Sequence, residues 1–193
     1  LQREDIEVIL NNYFGVVVID EAYINFSRFR SFTKELNDYP NLVVMQTLSK
    51  AWGLAALRIG MAFASQEIID IMNKIKPPYN INLASQELAL QALEEVNQVN
   101  FMIKDIVEQR EKLNTVLLGL PIVQKIYPSD ANFLLVKVIN AKELYDYLLG
   151  QGIVVRDRSR VTLCEGCLRI TVGTPYENET LVESLKTYAA GLA

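Results

Sequence analysis

Apolar positions along the chain fall into short continuous runs and longer periodic stretches, and the two patterns predict different elements. The run VVVID over residues 16–20 is apolar up to a closing acid. That is the texture of a strand buried on both faces of a parallel sheet. NLVVMQTL (41–48) repeats it, and RIGMAFA (58–64) supplies a third strand. Ahead of them, residues 4–12 carry the spacing of a short amphipathic helix. Ser65 is placed to cap a helix over 66–76, which Pro77 and Pro78 end. Strands and helices in this alternation predict an α/β sheet.

Residues 82–117 are helical by period, with Leu83, Leu90, Leu93, Val96, Ile103, Ile106, Leu113 and Leu117 forming an apolar stripe. That length is large for one globular helix, so a break is expected over 97–100, with Gly119 and Pro121 ending the stretch. The last third differs in texture. NFLLVKV (132–138) reads as a strand, 141–149 as a helix closed by Gly150 and Gly152, and LRITV (168–172) as another strand. Thr174, Pro175 and Glu177 then form a capping box with proline at the first helical position, opening a helix to about residue 190. Residues 1–118 are therefore expected to form the larger α/β part with its connecting helix, and 119–193 a smaller α+β domain.

Composition narrows the function. Half of the 193 residues are hydrophobic and 22% are charged, enough for a real core. A net charge of −4 argues against nucleic acid or an anionic membrane surface as partner. No apolar run approaches the roughly 18 to 20 residues that span a bilayer, and LQREDIEVIL does not read as a signal peptide, so a cytoplasmic protein is expected. Cys164 and Cys167 in a Cys-x-x-Cys pair could be redox-active or half of a zinc site, but with no histidine and no second cysteine pair they read as two free thiols flanking a turn. Without an imidazole, proton transfer falls to lysine, tyrosine or a carboxylate.

Two apolar strands deliver polar groups at their C-terminal ends. The first ends in Asp20, Glu21, Ala22 and Tyr23; beyond the second lie Thr47, Ser49 and Lys50, with Arg58 eight positions on. In open α/β sheets ligands bind at that edge. Pyridoxal 5'-phosphate calls for this set: an amine for its aldehyde, a buried carboxylate for the pyridine nitrogen, a hydroxyl donor at the phenolic oxygen, and hydroxyls with a guanidinium for the phosphate. Glu21 could serve as a second acid but reads better as a structural strand-end residue.

VVVIDEAYINFS, TLSKAWGLAALRIG and LRITVGT together resemble the signature segments of the fold-type I aminotransferases, in particular their histidinol-phosphate branch, over essentially the whole chain. The resemblance implies the large domain of an aspartate-aminotransferase-like fold, in part, followed by the small domain. It makes Lys50 the lysine that carries the cofactor and moves protons. Asp20 then pairs with the pyridine nitrogen, Tyr23 contacts the phenolic oxygen, and Thr47, Ser49 and Arg58 hold the phosphate. Arg169 matches the arginine for the substrate carboxylate, and Arg156 a second one for the substrate phosphate. The implied reaction moves an amino group from L-histidinol phosphate to 2-oxoglutarate in a cytoplasmic homodimer. An aromatic aminotransferase or threonine-phosphate decarboxylase of the same fold would keep most of these residues. So would a non-catalytic effector-binding module of a regulator. The resemblance also implies that a glycine-serine phosphate loop and the aromatic residue over the ring are missing here, so this piece is expected to be inactive by itself.

Overall fold

The structure, a computed structural model, describes residues 2–192. Helix α1 (Arg3–Asn12) leads into β1 (Val17–Asp20), and β2 (Leu42–Thr47) runs parallel to it with Val17 opposite Leu42 and Asp20 opposite Met45. β3 (Gly60–Ala64) returns antiparallel to β2, Thr47 facing Gly60. The parallel pairing brings Asp20 and Thr47 to the same edge of this three-stranded sheet.

One face of the sheet is packed. Leu42 and Val44 meet Leu10 of α1 and Phe32 of the β1–β2 connection, with Val17 and Ile19 against them. On the other face Val18 is 53% and Met45 42% exposed, whereas Val43, paired with Val18, is buried. β1 therefore alternates between half-buried and exposed positions, where continuous apolar character predicts burial on both sides. Among the described residues β1 is an edge strand of this sheet.

Helix α2 (Gln66–Ile75) begins after Ser65, but the Ser65 hydroxyl donates to the Pro40 carbonyl at 3.2 Å instead of capping the helix. The long periodic stretch does break, at Glu95, giving α3 (Leu83–Glu94) and α4 (Val96–Leu118). Its apolar stripe is not uniformly inward. Leu113 and Leu117 are buried, whereas Leu83 and Leu90 lie 69% and 65% exposed. α3 instead turns Ser85 and Ala89 inward, where Ala89 packs with Leu48 and Ile59.

The chain forms two compact units, one ending at Asn100 and the other starting at Phe101. The second contains β4 (Val123–Tyr127), β5 (Phe133–Val138), α5 (Ala141–Gly150), β6 (Arg156–Asp157), β7 (Cys167–Thr171) and α6 (Pro175–Ala190). Its antiparallel sheet has the order β4-β5-β7-β6. Inward positions alternate along β5, so Leu134, Val136 and Val138 join Leu168 and Ile170 of β7 beneath Leu144, Leu148, Leu181 and Leu185 of the helices. Gly152, at φ +76°, lets α5 close with Gly152 N–H on Leu149 and Ile153 N–H on Leu148. α6 opens on the expected capping box of Thr174 and Glu177 with Pro175 in the first turn. β4 carries no clean alternation and β6 is two residues long, so neither stands out in the sequence.

Candidate functional site

Asp20 ends β1 exposed, not buried as expected of the carboxylate at a pyridine nitrogen, its carboxylate accepting the Ala22 N–H at 2.9 Å in a turn that takes the chain off the strand. Glu21 turns the other way and is only 6% exposed. Its carboxylate accepts from the Ser31 hydroxyl at 2.6 Å, the Phe32 N–H at 2.7 Å and the Gln46 side-chain amide at 2.9 Å. Its own N–H donates to the Met45 carbonyl at 2.8 Å and its carbonyl accepts from Ile24 at 3.1 Å. Glu21 thus braces the strand end against β2 and against the segment at Ser31, and it fixes the short turn that starts at Tyr23. Its role is structural, as its strand-end position suggested; the partners Ser31 and Gln46 lie too far off in sequence to be read there.

This brace carries a measurable expectation. Removing an acceptor from buried donors costs about 1.5 to 3 kcal/mol per charge-assisted bond, and the losses are not additive. Glu21→Ala should lower the unfolding free energy of the first unit by about 3 kcal/mol in urea titrations. A change within about 0.5 kcal/mol, the range typical of surface substitutions, would show that the three bonds do not matter.

Thr47 ends β2 with its hydroxyl 2.9 Å from the Ser49 oxygen and 3.0 Å from the Ile59 carbonyl, and it accepts the Ser49 N–H at 3.0 Å. Leu48 N–H donates to Ile59 at 3.2 Å and Leu54 N–H to Leu48 at 3.0 Å. These bonds, with Leu48 and Ile59 buried beneath, close residues 48–59 into one loop. Lys50 stands exposed on it, its ammonium 5.3 Å from the centre of the Tyr23 ring. Arg58 takes the left-handed conformation, φ 57°, which costs an arginine about 1–2 kcal/mol. Its N–H and its guanidinium both bond the Ala55 carbonyl, at 3.4 and 3.1 Å.

The structure therefore brings Lys50 to Tyr23, and places Asp20 and Thr47 together in the wall of an open cavity of about 850 Å³, with Ala22, Gly60 and Met72. Tyr23, Ser49, Lys50 and Arg58 are not among the residues lining it.

In the second unit, Arg156 of β6 stands directly opposite Arg169 of β7. Two like charges at facing positions of an antiparallel pair destabilise it unless something neutralises them. The Arg169 guanidinium lies 5.1 Å from the centre of the Phe133 ring, and its Nε is buried without a hydrogen-bond partner among the described residues. Arg156 is exposed. An anion held between the two guanidiniums would offset their like charges. The Phe133 platform is a contact that the sequence alone did not reveal. No helix among the described residues is long and apolar enough to cross a membrane.

The chain is 52% identical over 188 residues to the histidinol-phosphate aminotransferase of Cytophaga hutchinsonii, covering 97% of this chain and 54% of that protein. It is 54% identical over 186 residues to that of Parabacteroides distasonis, covering 96% and 54%. It thus spans about half the length of the curated relatives it matches. Among solved structures, the histidinol-phosphate aminotransferase from Clostridium acetobutylicum superposes with a TM-score of 0.91 at 23% identity, over 99% of this chain and 60% of that one. That of Sinorhizobium meliloti, in complex with pyridoxal-5'-phosphate, gives 0.78 at 26% identity over 92% and 50%. The fold is α/β and corresponds to part of these structures. The model of aminotransferase class I and II matches residues 1–185, and the chain belongs to that family.

Proposed function

We propose that this chain carries the lysine-bearing half of a histidinol-phosphate aminotransferase, which at its relatives' length transfers an amino group from L-histidinol phosphate to 2-oxoglutarate using pyridoxal 5'-phosphate. The observation that carries the reading is identity above 50% to two histidinol-phosphate aminotransferases over nearly the whole chain. Residues 1–118 would be the C-terminal part of the cofactor-binding domain with its connecting helix, and 119–193 the small domain. We further propose a cytoplasmic homodimer; the outward leucines of α3 suit a covered face.

The donor set fits the cofactor. An exposed carboxylate stands at a strand end, an amine beside a phenol, and two mutually bonded hydroxyls share a closed loop with a guanidinium. When bound, pyridoxal phosphate supplies an electron sink that lets the C–H bond beside the substrate nitrogen ionise. Asp20 would accept the pyridine N–H and hold that nitrogen charged. Tyr23 would donate to the phenolic oxygen, and Thr47, Ser49 and Arg58 would hold the phosphate. The Lys50 amine would anchor the aldehyde and then, once displaced by substrate, carry the proton to and from the substrate carbon. Its ammonium lies 5.3 Å from the centre of the Tyr23 ring. Arg156 and Arg169 would receive the phosphate and carboxylate of the two substrates.

A protein of full relative length, supplied with L-histidinol phosphate and 2-oxoglutarate, is expected to yield glutamate, faster than with tyrosine as donor. Release of carbon dioxide from threonine phosphate, or preference for tyrosine, would overturn the substrate assignment.

A further inference from the structure

The structure assigns Cys164 and Cys167 as a dithiol that closes into an intrachain disulfide. The segment entering β7 consists of two successive turns: Cys164 N–H donates to Val161 and Cys167 N–H to Cys164, both at 2.9 Å. In the second turn Gly166 has φ +73°, the conformation that the third residue of a type II turn requires. A turn closed by that bond holds its first and last Cα atoms within about 7 Å. A disulfide needs them about 4.4 to 6.8 Å apart. The backbone therefore sets the separation before any oxidation, and both thiols are free.

The two sulfurs differ in access. Cys164 is half-buried, whereas Cys167 is fully buried, and that burial, followed by the neighbouring Cys164, pushes its thiol up. Cys164 is thus the point of entry. Its thiolate attacks a small-molecule disulfide, one small thiolate leaves, and a mixed disulfide forms on Cys164. Cys167 then loses its proton to solvent and attacks the Cys164 sulfur, expelling the second small thiol. Two protein thiols are oxidised to one disulfide, and one small disulfide is reduced to two thiols. This site is independent of the transamination reading.

The test treats the 193-residue chain with oxidised glutathione and follows intact mass, peptide map and free thiols. Expected is a monomer that has lost two hydrogens, with Cys164 and Cys167 in one linked peptide. Cys167→Ser should stop at a single glutathione on Cys164, and Cys164→Ser should react at least about tenfold more slowly because its remaining thiol is buried. A lasting glutathione adduct on the unsubstituted chain, unchanged thiols, or linkage between two chains would each overturn the assignment. The unsubstituted chain decides the matter even where a variant fails to fold.

Discussion

Lys50→Ala in a protein of full relative length is expected to lower transamination by at least about 10⁴-fold, since one side chain supplies both the covalent anchor and the proton carrier. Borohydride treatment of the unsubstituted protein should fix the cofactor covalently on Lys50 and nowhere else. Folding stability, in contrast, should change by no more than about 0.5 kcal/mol. Lys50 is exposed, with its ammonium 5.3 Å from the centre of the Tyr23 ring. Activity lost without stability lost is the signature of chemistry rather than packing. Reduced cofactor mapped to another lysine would end the assignment of this residue.

Arg156→Ala is expected to act on one half-reaction. The register that sets Arg156 against Arg169 joins an exposed arginine to one whose Nε is buried and unbonded among the described residues. Histidinol phosphate has no carboxylate, so one pair of arginines must serve two anions by different contacts. With Arg156 taking the phosphate, its loss should slow the histidinol-phosphate half-reaction by some 30-fold or more, the equivalent of about 2 kcal/mol at the low end for a truncated charge pair. The glutamate half-reaction should be affected less. Single-turnover rates with each amino donor measure both; equal losses would make Arg156 a shared or purely structural residue.

Much of this was legible from local signals. The strand end at Asp20, the capping box at Thr174 and the glycine stop after α5 are short-range physics, and each appears where the pattern puts it, while β2 ends one residue early, at Thr47. Three features were not legible, for a common reason. Ser65 bonds Pro40 rather than its helix, Glu21 meets Gln46, and Arg169 lies over Phe133. Each depends on strand register or loop path, which periodicity does not encode. The exposed faces of β1 and α3 mislead for another reason: apolar side chains mark a surface to be covered, without saying which element covers it.

The loop that carries Lys50 is tied at its own base, Leu48 to Ile59, and again at Leu54. Such a ring opens as one event. The amides of Leu48 and Leu54 should therefore share a single opening free energy in native-state hydrogen exchange, while amides of α5 and α6 follow one of their own. Unequal protection of Leu48 and Leu54 would mean that the ring unzips from one side, freeing the lysine while its anchor at Ile59 still holds.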